Sequence, residues 1–174
     1  MKKVKIYYVI FIFLLSFLWH FMYKWFPNNV FAIFFPVNES IWEHMKIIYG
    51  CFIFGAFFEN YLLKKLNVSY NNFYIEIFAK SILGILFYLI TYVPLHKIFG
   101  ENIIIAISVL LLTFIVMEII GSKILKAEET NIKYMPICIM VLGYILFAIL
   151  TFYPPNNHLF FDENKMVYGI PYKK

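Results

Sequence analysis

Two glutamates and a histidine lie close together in one short segment of the sequence, FPVNESIWEHMK, residues 35–46. Carboxylates and imidazoles bind divalent cations, and either group can also act as an acid or a base when it is partly buried. The segment therefore predicts a metal site or an acid–base site, with Glu43 and His44 as the catalytic pair. No HExxH motif specifies the metal. With His20 added, the predicted metal ligands are His20, Glu39, Glu43 and His44.

Helix capping explains part of the same segment without any chemistry. Ser40, followed three residues later by Glu43, is a capping box, in which each side chain bonds to the other residue's backbone N–H. Asn38 is an alternative N-cap, and Lys46 is expected to extend toward lipid headgroups. Capping does not explain His44. The further candidates for the polar site are Asn38, Ser40, Lys46 and Asp162.

The elements that position these residues are long apolar segments. Hydrophobic residues make up 63% of the 174 residues and charged residues only 14%, whereas a soluble domain has about 25% charged residues. About 20 apolar residues span a bilayer as a helix, and five segments are that long. The sequence therefore predicts an all-α polytopic membrane bundle whose helices cover about Val4–Phe26, Ile41–Leu63, Phe73–Val93, Asn102–Ile120 and Tyr134–Tyr153.

The distribution of lysines predicts the orientation of this bundle. The net charge is +5, but the lysines flank apolar segments instead of forming a basic face, which favours a bilayer over nucleic acid as the partner. They are denser on the side of the N-terminus, so we expect the N-terminus in the cytoplasm and the C-terminal tail outside the cell. The predicted division is a transmembrane domain, residues 1–155, and an extramembrane tail, residues 156–174.

This topology assigns the polar residues to two levels. All four histidines (His20, His44, His96 and His158) fall at the face of the tail, together with Glu39, Glu43 and, if the tail folds back, Asp162. A second charged set lies near the other face. Glu59 is about 22 Å from His44 along a helix, at 1.5 Å per residue, so it cannot share the first site. The second set is either an interhelical ion pair or a station on a proton or ion path; it contains Glu59, Glu76, Lys80 and Glu118.

Three blocks of the sequence resemble an uncharacterised family of small bacterial integral membrane proteins, a domain of unknown function. They are HFMYKW at residues 20–25, PVNESIWEHMK at 36–46, and the tail blocks TFYPPNNHLFFD and YGI at 151–162 and 168–170. The resemblance implies a multi-pass protein of the bacterial cell membrane and no particular activity. Members of that family more often have proline at the position of His158, which makes this histidine a poor candidate for an essential ligand.

Three functions remain open at this point, and so does the question of whether the protein is an enzyme. The first is a membrane-embedded, metal-dependent hydrolase acting on lipid or envelope substrates, with a divalent metal as the suggested cofactor. The second is a small ion-coupled carrier, although no helix is visibly broken in mid-span as in many transporters. The third is an accessory subunit whose tail docks on another membrane protein or on a second copy of the chain.

Overall fold

The computed structural model describes residues 1–171, so the last three residues of the predicted tail, 172–174, lie outside the described residues. Five helices are long and apolar enough to cross a membrane, which confirms the predicted all-α membrane bundle. A short helix and a two-stranded hairpin complete the described fold. In chain order the elements are α1 Lys2–Trp25, α2 Asn29–Phe34, α3 Ile41–Lys65, α4 Phe73–Phe99, α5 Ile103–Ile124, α6 Tyr134–Phe152, β1 Phe161–Asp162 and β2 Val167–Tyr168.

The central element is α3, which packs against α1 and α4, while α5 packs against both α4 and α1. In α3, two-thirds of the apolar stretch is buried, whereas in each of the other four spanning helices about one-third or less is buried. Gly55 brings α1 close, because a side chain at this position would meet Ile12 and Tyr8. Small residues commonly allow membrane helices to approach each other in this way. Helix α3 is therefore enclosed by its neighbours along most of its length.

Two helices extend beyond their predicted ends. The sequence predicted that the third span stops at Pro94, but α4 continues to Phe99 and ends where Gly100 adopts a positive φ of 69°. Proline within a membrane helix is tolerated, since neighbouring groups can satisfy the freed carbonyl. Likewise α5 passes through Gly121 and ends at Ile124. The longer α4 carries His96 on the helix itself.

The short helix α2 was not predicted. Asn28 caps its start, because its side-chain oxygen accepts hydrogen bonds from the backbone N–H groups of Val30 and Phe31. At its other end the Lys46 ammonium donates to the carbonyl of Ala32 over 2.6 Å. A cation near a helix C-terminus is favourable because the helix dipole is negative there. The linker between the first two spans is thus folded against the bundle.

The residues after α6 fold back onto the start of α3. Phe161 pairs with Tyr168, and Asp162 pairs with Val167, in the antiparallel hairpin. The backbone N–H of Trp42 donates to the carbonyl of Leu159 over 2.8 Å. We call this side of the bundle the tail face. It contains the last turns of α1, α4 and α6 and the first turns of α3 and α5.

Candidate functional site

A cavity of about 220 Å³ lies at the tail face between α1, α3, α4 and α5. All four histidines contribute to its lining, which confirms that they share one face. The cavity is polar near the tail and apolar toward the middle of the bundle. Its polar lining includes His20, Glu39, His44, His96, Glu101, His158 and Glu163.

Three of these residues form a compact group, which we call the tail-face cluster: His20 from α1, Glu39 from the linker before α3, and His44 from α3. One ligand atom from each lies within 4.8 Å of the others. The two carboxylate oxygens of Glu39 face the two rings, with Nε2 of His20 at 3.6 Å and Nε2 of His44 at 3.5 Å. Each side chain is between a quarter and two-fifths exposed. The cluster is therefore accessible, and its three side chains make no short hydrogen bonds to one another.

The orientation of the His44 ring follows from its position one turn into α3. Its Nδ1 lies 2.8 Å from the carbonyl of Ser40. A carbonyl only accepts, so Nδ1 carries the proton, and in the neutral ring Nε2 keeps its lone pair. A backbone carbonyl on one ring nitrogen is the usual way in which a histidine presents the other nitrogen to a metal.

Glu39 is fixed through its backbone by the tail. Its N–H donates to Oδ2 of Asp162 over 2.9 Å, and the other oxygen of Asp162 accepts from the N–H groups of Asn164 and Lys165. Asp162 is fully buried. This predicted site residue therefore meets the cluster through the backbone of Glu39, while its own carboxylate holds the hairpin.

Glu43 lies beside this cluster but is engaged elsewhere. Its carboxylate accepts from the backbone N–H of Val37 over 3.0 Å and from the hydroxyl of Thr151 over 2.8 Å. On α3 itself, the carboxylate also contacts the Lys46 ammonium at 2.7 Å. Glu43 thus joins α3, the linker and α6. The catalytic and metal-binding roles of Glu43 remain predictions. The glutamate whose carboxylate lies within 4.8 Å of His20 and His44 is Glu39.

The expectation that Lys46 reaches the headgroups was wrong, because the side chain is fully buried. The ammonium contacts Glu43 and the carbonyls of Ala32 and Phe35, so it is stabilised inside the protein. The capping box is present only in part. Ser40 Oγ accepts from the Glu43 N–H over 3.3 Å as predicted, but the Ser40 N–H donates to Asn38 Oδ1 instead.

Asn38 completes the connection between the linker and the tail. Its side-chain amide donates to the carbonyl of Gly169 over 2.7 Å. Gly169 has a positive φ of 62°, and a side chain there would meet the carbonyl of Thr151. Asn38 and Ser40 therefore support the cluster without facing the cavity.

Sequence reasoning missed several residues of the cavity. Tyr88 and Tyr92 are buried residues of its wall, and they lie on α4 at intervals of four residues before His96. The rings of Tyr92 and His96 are 5.6 Å apart. This regular spacing is a signal that points to one helix face. Glu101 and Glu163 carry no such signal, since loops bring them to the cavity.

The second predicted set of charges forms a buried lysine cluster, made of Glu59, Glu76, Lys80 and Glu118. The Lys80 ammonium lies 2.7 Å from Glu59 and 3.3 Å from Glu118, and it also contacts Glu76. The Tyr8 ring centroid lies 4.4 Å from the same nitrogen. All four charged side chains are at most 2% exposed. This arrangement confirms the interhelical ion pair; the proton or ion path remains a prediction.

Five spanning helices, with a polar cavity at one end of the bundle, define a multi-pass membrane protein in contact with lipid. The chain belongs to the family of unknown function DUF6512, whose profile matches residues 1–170. This match confirms the resemblance to a domain of unknown function. No curated protein and no solved structure matches the chain.

Proposed function

We propose that this protein is a membrane-embedded, metal-dependent hydrolase and that His20, Glu39 and His44 hold a divalent cation. The observation that carries this proposal is the grouping of three ligand atoms within 4.8 Å at the wall of a cavity. Ligand atoms around a tetrahedral zinc ion are roughly 3.3 Å apart, given bonds of about 2.0–2.1 Å. Each histidine lies near that distance from a different oxygen of Glu39, with 3.6 Å between Nε2 of His20 and Oε1 and 3.5 Å between Nε2 of His44 and Oε2.

The composition of the cluster fits a catalytic ion better than a structural one. Catalytic zinc sites use three protein ligands, commonly two histidines and one glutamate, and leave a fourth position for water or substrate. Such an ion would lower the pKa of its water and polarise the substrate oxygen. The Ser40 carbonyl would hold His44 in the binding tautomer, and Asp162 would hold the backbone of Glu39.

Hydrolysis requires only water as the second reactant. The oxygen of water bonds to the acyl or phosphoryl centre, the bond from that centre to the leaving oxygen breaks, and the leaving oxygen gains a proton. His96 and Glu101 belong to the same cavity wall and are two groups that could move that proton. Neither is engaged in the tail-face cluster, so binding and proton transfer would be divided between different residues.

Metal content tests the proposal directly. We expect the detergent-purified protein to contain near-stoichiometric zinc, or another transition metal, by elemental mass spectrometry. His20→Ala, His44→Ala and Glu39→Gln should each lose it while remaining folded. His158→Ala and Glu163→Gln are matched controls, because these residues belong to the same cavity wall but not to the cluster. Absence of metal from the folded wild type, or equal loss in the controls, would refute the site.

We also propose that the tail face is the external face of a bacterial cell membrane. The support is the density of lysines on the opposite side of the bundle. A single cysteine at exposed Asn156, with Cys51 and Cys138 replaced by serine, should react with a membrane-impermeant maleimide in intact cells. Reaction only after lysis would reverse the orientation.

A further inference from the structure

The cavity at the tail face combines two kinds of surface. Its polar end contains the tail-face cluster. Its other end is apolar and is formed by the same helices deeper in the bundle, through Phe17, Ile47, Ile107 and Leu110. A ligand that fits both ends needs a polar group joined to a hydrocarbon chain.

The size of the cavity limits how much of such a ligand it can enclose. Its volume of about 220 Å³ corresponds to roughly seven water molecules at about 30 Å³ each. Pockets that enclose a whole drug-sized ligand are about 300–1,000 Å³. The cavity therefore has room for a polar group and the first carbons of a chain, and the rest of the chain must leave the cavity.

The exposure of the cavity wall indicates where the chain leaves. Phe17 and Phe21 on α1 are 38% and 39% exposed, and Ile103 on α5 is 73% exposed, although all three contribute to the lining. On the opposite wall, Tyr88 and Tyr92 of α4 are buried. The cavity is thus closed on the side of α4 and open between α1 and α5, where apolar side chains face the lipid.

We infer that the substrate is a single-chain lipid with an ester-linked polar headgroup, which enters from the bilayer between α1 and α5. The ester, carboxylic or phosphoric, lies at the tail-face cluster, and the chain passes Phe17 and Ile107 into the membrane. A cavity of about 220 Å³ has room for the first carbons of one chain. The position of the ester rests on the proposed hydrolase, whereas the position of the chain rests on the cavity alone.

The test uses lysophosphatidylglycerol with a photoreactive diazirine in its acyl chain, added to the full chain in phosphatidylcholine nanodiscs. After chelation of metal, irradiation and peptide mass spectrometry, we expect crosslinks in α1 and α5. Ala106→Trp should reduce them by about fivefold or more, because an indole removes the space for the chain. Ile104→Trp is the matched control, since Ile104 is on the same helix, is exposed and does not contribute to the lining.

Ala106→Leu serves as a milder variant if the tryptophan disturbs folding, and it should reduce crosslinking in the same direction. Crosslinks that are spread equally over α1, α5 and α6, and are unchanged in both Ala106 variants, would overturn the inference. Crosslinks in α1 and α5 of a protein that never binds metal would support the lipid site and refute the hydrolase.

With metal restored, the products identify the bond. Release of fatty acid indicates the carboxylic ester, and release of glycerol or glycerol phosphate indicates the phosphoric ester. Either product, lost in His44→Ala while crosslinking persists, supports the proposed position of the ester. Specific crosslinking without any cleavage by metal-loaded protein would overturn that position.

Discussion

The tail-face cluster and the buried lysine cluster contain similar chemical groups in opposite surroundings. In the first, His20, Glu39 and His44 are partly exposed and their mutual contacts are 3.5 Å or longer. In the second, the Lys80 ammonium contacts three carboxylates, and none of the four charged side chains is more than 2% exposed. The two clusters differ in exposure and in contact length, and this difference is why we propose the accessible one, and not the buried one, as the place for a ligand.

A packed apolar layer separates the two clusters. Ile48 and Phe52 on α3 meet Gly84 on α4, and Phe52 contacts Phe114 on α5 with ring centroids 5.4 Å apart. Ile48, Phe52 and Phe114 are almost completely buried. Within residues 1–171 this layer gives no support to a polar path between the clusters, so the ion-coupled carrier is the weaker of the two membrane functions.

The largest expected effect comes from removing the cation of the buried lysine cluster. Lys80→Met leaves three buried carboxylates without their partner, and breaking a buried ion pair in this way costs about 3–5 kcal/mol. We expect a loss of that size in the free energy of unfolding, measured by SDS titration of micellar protein. Lys64→Met, at an exposed position near the end of the same bundle, is the control. An unchanged midpoint would mean that the cluster is not a structural junction.

Glu43→Ala should produce the next largest loss of stability. It removes the acceptor for the Val37 N–H and the Thr151 hydroxyl and deprives Lys46 of its charged partner, although two carbonyls still accept from that ammonium. We expect a loss of about 2–3 kcal/mol with metal retained in the folded fraction. Glu43→Gln keeps an acceptor oxygen and should lose less. Loss of metal from well-folded Glu43→Gln would show that Glu43 takes part in metal binding after all.

A smaller loss is expected from the layer between the clusters. In Gly84→Ala the added methyl group would lie 2.9 Å from Phe52 and 3.1 Å from Ile48, and overpacking of this kind costs about 1–2 kcal/mol. The same titration measures it, with Leu83→Ile on the exposed side of α4 as the control. An unchanged free energy of unfolding for Gly84→Ala would show that the layer is loosely packed, and a proton or ion path between the two clusters would again be a strong alternative.

The smallest effect on stability is expected in the tail-face cluster. Glu39→Gln changes a partly exposed side chain, so metal-free protein should keep its free energy of unfolding to within about 0.5 kcal/mol. Its backbone bond to Asp162 is untouched. Titration after chelation gives the measurement. A loss of unfolding free energy as large as that of Glu43→Ala would show that the tail-face cluster is also a structural junction and does not differ in this respect from the buried lysine cluster.

The sequence was sufficient for the large-scale arrangement. The length of the apolar segments predicted the five spanning helices, and their alternating direction then placed His20, His44, His96 and His158 at one face. These features depend only on properties local to each segment.

The partners of Glu43 and Lys46 could not be predicted in the same way. Glu43 meets Thr151, which is 108 residues away, and Lys46 meets the carbonyl of Ala32 in a helix of six residues. A capping-box motif cannot distinguish a carboxylate that returns to Ser40 from one drawn to a buried ammonium. That choice is made by tertiary packing, so Glu43 looked more available in the sequence than in the fold.

The contact between Asp162 and Glu39 has a consequence for biosynthesis. The two residues are 123 positions apart. A ribosome that adds about 5–20 residues per second therefore synthesises Asp162 roughly 6–25 s after Glu39. During that interval α1 and α3 can already enter the membrane, but nothing yet holds the backbone of Glu39. In the nascent protein, α1 and α3 are therefore inserted before the hairpin can fix the backbone of Glu39, and the tail-face cluster reaches its final arrangement only when the hairpin docks.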